Sequence, residues 1–190
     1  PGSTVKAVVL YKDTGNPSTS PLWLYLDSGP AVGLPFATNG GALTIPWNND
    51  AKKIARLNLP VYPKGGEKML SGAINVSAAT IKAVALPSTY AYNAAHEFLA
   101  DVGTVIGTAQ TLASKSITSG VFDAADVPLG ALASGGTLAS ILIYKDTGSA
   151  ATSPVLLHLA DVTGLPLATN GAEITVRWSD GASKIFSLAA

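Results

Sequence analysis

The five residues Tyr11-Lys12-Asp13-Thr14-Gly15 return as Tyr144-Lys145-Asp146-Thr147-Gly148, at an offset of 133. Thr19-Ser20-Pro21 matches Thr152-Ser153-Pro154 at the same offset. Gly33-Leu34-Pro35 matches Gly164-Leu165-Pro166, and Ala37-Thr38-Asn39-Gly40 matches Ala168-Thr169-Asn170-Gly171, both at 131. Trp47 and Trp178, and Lys53-Ile54 and Lys184-Ile185, keep that second offset. The first copy therefore carries two more residues in the intervening loop. A fixed-order match over about 55 residues is a duplicated structural unit, and it organises the chain before any local propensity is read.

The first copy spans about residues 4–59. Residues 5–10 are β-branched and apolar, a buried strand. Residues 13–20 form a polar turn, and 21–26 resume as a strand with Trp23 and Tyr25 on one face. A long loop, 28–41, leads to strands at 42–47 and 53–59. Four strands joined by turns predict an antiparallel meander. The second copy, about 137–188, repeats the plan with strands at 138–144, 155–159, 173–178 and 184–188. Between them, 60–136 is different. Residues 61–66 read as a linker or arm, and 74–76 and 80–86 as strands. Residues 93–103 read as a helix capped by Asn93 and ended by Gly103, with Glu97 and Asp101 on its solvated side. Residues 116–122 and 127–132 complete the region as strands. The expected fold is mainly β: antiparallel sandwich or barrel-like sheets from a duplicated four-strand unit, with one short α-helix. The expected domains are 1–59, a half-copy; 60–136, the first half of a complete copy; and 137–190, its second half.

Charge narrows the role. Only 13% of the 190 residues are charged, against about 25% in an ordinary soluble domain. The 12 basic and 12 acidic residues balance, with no Lys/Arg cluster to grip phosphate. So little charge fits either a Ser/Thr/Asn-rich surface or an exterior covered by other subunits, and the repeat favours the second. Cysteine is absent, which excludes disulfides, thiolate metal sites and a cysteine nucleophile. No apolar run approaches the ~18 residues that span a bilayer. Pro1-Gly2-Ser3-Thr4 has neither a basic start nor an apolar signal core, and no initiator Met, so the chain is expected to be processed or to begin inside a longer one.

Catalytic groupings are not legible. The two histidines, His96 and His158, have no thiol or carboxylate motif beside them, and Tyr25 takes the place of His158 in the first copy. His158 is therefore read as a partly buried aromatic-like side chain. Asp123-Ala124-Ala125-Asp126 lacks the oxygen spacing of a calcium loop. Asp13 and Asp146 precede Thr-Gly and are expected to bond the backbone of their turns. No Gly-x-Ser-x-Gly elbow, Gly-x-Gly-x-x-Gly or phosphate loop occurs. Asn75-Val76-Ser77 matches a glycosylation sequon, a short pattern with no secretory signal beside it. Trp47 and Trp178 could stack on sugars, but such residues are more often core or interface anchors.

Several segments, in order, resemble small virion structural proteins of tailed bacteriophages. They are Tyr62-Pro63-Lys64-Gly65 with Lys68-Met69-Leu70-Ser71-Gly72, then Thr80-Ile81-Lys82-Ala83-Val84, then Tyr92-Asn93-Ala94-Ala95-His96-Glu97-Phe98-Leu99. Gly120-Val121-Phe122-Asp123-Ala124 and Ile143-Tyr144-Lys145-Asp146-Thr147-Gly148, on through Trp178 and Lys184-Ile185-Phe186, follow. The resemblance makes 60–190 one complete copy and 1–59 the second half of another. Either a longer parent was trimmed, or half a domain was added to supply strands, in which case it packs on this chain or a neighbour as an extra sheet.

What the resemblance implies is a cement or decoration protein on the capsid exterior, made in the bacterial host cytoplasm. Its expected partners are the major capsid protein and copies of itself, with no nucleic acid, membrane, cofactor or metal, and no catalytic residue. Trp23, Phe36, Trp47, Leu167 and Trp178 are the expected interface side chains. The competing expectation is a tail or head-fibre module that binds host-surface glycans. A glycan hydrolase would need two facing carboxylates about 5–9.5 Å apart, and no pair is nominated.

Overall fold

The structure is a computed structural model that describes residues 3–27, 34–37, 60–181 and 184–188. The chain divides into two compact units, Pro1–Leu57 and Asn58–Ala190. The described part of the first holds strands β1 (Thr4–Val5), β2 (Val8–Tyr11), β3 (Leu22–Leu26) and β4 (Phe36–Ala37). β2 and β3 form an antiparallel hairpin, and β1 pairs with β4. The strands expected at 42–47 and 53–59 lie outside the described residues.

The second unit is mainly β with antiparallel sheets. It runs α1 (Pro63–Leu70), β5 (Ile81–Pro87), α2 (Leu99–Val102), β6 (Ile106–Thr111), β7 (Ser116–Thr118), β8 (Val121–Asp123) and β9 (Val127–Ala131). Then come β10 (Thr137–Lys145), β11 (Val155–Leu159), β12 (Leu167–Ala168), β13 (Glu173–Val176) and β14 (Phe186–Ser187). The central sheet has the order β11-β10-β5-β6, with β12 also on β10. β5 and β10 are near-continuous apolar runs because both of their faces are covered. Ala83, Ala85, Ile141 and Ile143 point into a cluster completed by Phe122, Leu129 and Val176 from the smaller sheets β7-β8-β14 and β9-β13. Val84, Leu86, Leu142 and Tyr144 point the other way, against Tyr62 and Val102. Each fully buried Leu or Ile on the two faces of this sheet contributes roughly 1.5–3 kcal/mol.

The meander expected for the second copy does not form. β10 and β11 do pair, but β13 pairs with β9 and β14 with β8. The halves 60–136 and 137–190 are thus woven into one core, because Val176, Ile185 and Phe186 find their apolar partners on strands of the first half. Ile74 and Val76 are buried, but the segment forms no strand: exposed Asn75 opens a turn, its Oδ1 accepting from the N–H and hydroxyl of Ser77 at 3.1 and 2.7 Å.

Two helices stand where one was expected. The segment read as a linker is α1, with Pro63 in its first turn, where a missing N–H costs nothing. The helix expected over 93–103 shrinks to the four residues of α2. Asn93 caps only a turn, accepting from Ala95 N–H at 2.9 Å, and Phe98 is extended, bridging Pro154 while Glu97 O accepts from Val155 N–H. Asp101 is exposed, as expected, but it also acts as a local cap. Its carboxylate accepts the N–H groups of Phe98 and Glu97 at 2.9 Å each, which hold its pKa below the usual range.

Candidate functional site

The two β-hairpins of the repeat have the same register. Val8, Val9 and Leu10 face Leu26, Tyr25 and Leu24, just as Ile141, Leu142 and Ile143 face Leu159, His158 and Leu157. A bulge follows at the same step, Leu10/Tyr11 and Ile143/Tyr144. The connecting loops share a common set of bonds. Gly15 N–H donates to Asp13 Oδ1 at 2.8 Å and Gly148 N–H to Asp146 Oδ1 at 3.0 Å, which fits the expected turn role of both aspartates. Thr14 and Thr19 hydroxyls meet at 2.6 Å, as do those of Thr147 and Thr152. Thr14 and Thr147 N–H groups each donate to a serine hydroxyl, Ser20 and Ser153, at 3.1 Å.

What differs is the covering. In the second unit β10 lies between β11 and β5, and the outer edge of β11 is also filled. Tyr62 N–H donates to Leu156 O at 2.9 Å and His158 N–H to Pro60 O at 2.8 Å. Further along, Val155 N–H donates to Glu97 O at 3.0 Å and Leu99 N–H to Ser153 O at 2.8 Å. Lys68 of α1 closes over this seam with an ion pair to Glu97 at 2.9 Å. Val155, Leu156 and Leu157 are buried as a result. Their counterparts Leu22 and Trp23 are 74% and 68% exposed, and Tyr25, the counterpart of His158, is 66% exposed. Among the described residues β2 pairs only with β3. Val9, Tyr11, Leu22, Trp23 and Tyr25 make an apolar hairpin surface exposed in this chain, the kind of patch that marks an interaction site.

The expected interface residues fall in different places. Trp23 sits in that exposed hairpin. Leu167, on β12, is 40% exposed. Phe36 is in β4 opposite Val5, described by its backbone, and Trp47 lies outside the described residues. Trp178 is partly buried against the core; its indole N–H donates to Ala125 O at 3.0 Å and its backbone N–H to Asp126 Oδ1 at 3.1 Å. It locks the end of β13 to the 124–126 turn. Leu22 and Tyr11 are not among the expected interface residues; Tyr25 shares the expected face of Trp23, and Leu22 the opposite one with Leu24 and Leu26.

A second feature is a ring cluster on the second unit. Tyr92 stacks on His158 with centroids 5.5 Å apart, and Tyr90 meets His158 edge-on at 5.4 Å. Tyr62 and Tyr90 hydroxyls lie 2.5 Å apart, and Tyr90 reaches His96 Nδ1 at 3.2 Å. Burial, then the bond to Tyr90, pushes the Tyr62 phenol far above its ordinary pKa. An open depression of about 320 Å³ is lined by Tyr90, His96, Thr89 and Thr104, and another of about 280 Å³ by Tyr92, His158, Pro60 and Val61. These rings can stack on a planar or sugar ring.

His158 is half-buried, with Nε2 2.9 Å from Ser140 Oγ, and burial holds its pKa below the ordinary value. The folded state therefore takes up this proton less readily than the unfolded chain. The contribution of neutral His158 is fully present above about pH 6.5 and is lost as pH falls toward the lower folded value. Between about pH 7.5 and pH 5, the melting temperature of the wild-type chain is expected to fall more steeply than that of His158→Gln. Parallel slopes in the two thermal melts count against this assignment.

Comparison of the chain with protein-family models, with curated proteins and with solved structures gives no match. Among the described residues no three His, Cys, Asp or Glu side chains gather as metal ligands, and no helix is long and apolar enough to cross a membrane.

Proposed function

We propose that this chain is a virion structural protein of a tailed bacteriophage, a cement or decoration protein that binds the assembled capsid shell and no substrate. The observation that carries this reading is the exposed apolar hairpin: Leu22, Trp23 and Tyr25 keep the residue character of a buried strand while standing in solvent. Such a surface suits docking on a large lattice of major capsid protein and neighbouring copies of the chain. Binding to the assembled shell and not to free subunits stabilises the shell by mass action. The low charge content and the duplicated scaffold point the same way. In purified particles the protein is expected at hundreds of copies, and empty capsids lacking it are expected to bind it saturably in a sedimentation assay. Low-tens stoichiometry, or no binding to capsids, overturns the reading.

A second reading, a tail or head-fibre module that binds host-surface glycans, draws on the Tyr90, Tyr92 and His158 rings beside their open depressions. Tight binding to host cells that Tyr92→Ala abolishes, with no capsid binding, is the outcome that favours it.

A further inference from the structure

The repeat itself shows what a covered hairpin looks like. In the second unit, β5 runs antiparallel along β10, with Ala85, Val84, Ala83 and Lys82 opposite Ile141, Leu142, Ile143 and Tyr144. Lys82 Nζ then reaches Asp146 Oδ2 at 2.6 Å, beyond the strand end, and Asp146 N–H donates to Thr80 O at 2.8 Å. In the first unit, Val8, Val9, Leu10 and Tyr11 stand in the four places of the β10 residues, with Asp13 in the place of Asp146. Asp13 Oδ1 is used by its turn, and among the described residues no cation pairs with the carboxylate. Among the described residues, the edge, the apolar faces and the counter-charge that such a strand would use are all present.

We propose that β2 receives, in antiparallel pairing, a strand of the β5 type: alternating small and branched apolar residues with a lysine that reaches Asp13. The donor is another polypeptide segment of the 60–136 kind, lying outside residues 1–190. A second copy of this chain does not serve. Each copy brings one β5 and two hairpins of the repeat, and its β5 is already seated on β10. Exchange between copies leaves the number of bare hairpins unchanged. The small residues matter too: Ala83 and Ala85 let β5 lie under a second layer, so the acceptor selects sequence as well as backbone. This inference does not depend on the virion reading.

The test titrates the isotope-labelled full chain with a synthetic peptide of residues 79–88 and follows backbone amides by NMR. The expected result is shifts and slowed exchange confined to residues 8–13, with β10 unmoved. Asp13→Asn keeps the acceptor for Gly15 N–H and removes the charge, and is expected to weaken binding about fivefold. A peptide with Lys82→Met is expected to lose about the same, and the two changes together no more than either alone. Four outcomes overturn the proposal: no shifts at millimolar peptide; shifts confined to β5 and β10; independent, additive losses from the two changes; or β2 amides already protected in a dimer of the free chain, which would make a second copy the occupant.

Discussion

Gly65→Ala is expected to cost the second unit about 3 kcal/mol, at the upper end of what overpacking a tight contact does. The reason is one atom. A Cβ at Gly65 would lie 2.3 Å from Val155 O and 2.9 Å from Leu156 Cα, both backbone atoms of the strand that α1 lies against. A flexible side chain could move aside; a strand hydrogen-bonded on both edges does not. The helix must then lift, which pulls Tyr62 out of the core and loosens the bonds from Tyr62 N–H and His158 N–H. Gly66→Ala is the internal control. Its Cβ would meet only the Val61 Cγ1 methyl at 3.3 Å, and alanine is the better helix former by up to about 1 kcal/mol. Urea unfolding monitored by circular dichroism is expected to show a large loss for Gly65→Ala and little change for Gly66→Ala. Equal midpoints for the two variants would falsify the close-packing account.

The second large effect contrasts two positions that the repeat makes equivalent. Leu156→Ala, in β11, removes a side chain that is 1% exposed, and is expected to cost about 2–5 kcal/mol. Trp23→Ala, at the same register of β3, removes a larger side chain but one that solvent already reaches, and is expected to change stability by about 0.5 kcal/mol or less. If the hairpin is the docking surface, the order reverses for binding. Trp23→Ala then weakens capsid association by about tenfold or more, as aromatic anchors at interfaces do. Denaturant melts and capsid co-sedimentation on the same two variants give both rankings. A Trp23→Ala chain that unfolds as readily as Leu156→Ala would mean that the tryptophan is covered in solution.

The strands that sequence placed well are those whose own residues decide them. β11 was placed at its observed ends, and β9 and β10 within a residue or so, because their runs of Val, Leu and Ile are buried on at least one face. The helix expected over 93–103 failed for a non-local reason. Phe98 pairs with Pro154 and Glu97 O accepts from Val155 N–H, so edge pairing overrode a good apolar spacing. α1 was hidden because Gly65-Gly66 reads as a breaker, when Gly65 is small for the sake of the strand beside it. β6 (Ile106-Gly107-Thr108-Ala109-Gln110-Thr111) has too little apolar alternation to announce itself and is held by β5. Of the candidate site, the repeat makes the two hairpins equivalent, but the exposure of Leu22, Trp23 and Tyr25 is not legible in it. Nor is the Tyr62–Tyr90–His96 chain, since its members come from separated segments joined only by folding.

The hydroxyl network of the turns has one more consequence. Thr14, Thr19 and Ser20 satisfy one another and Asn16 O, as Thr147, Thr152 and Ser153 do around Ser149 O, so each bend keeps its shape without help from whatever lies alongside. A receptor that is rigid before its guest arrives loses little freedom on capture. Capture at β2 should then run at a rate set by collision and by the ordering of the newcomer alone.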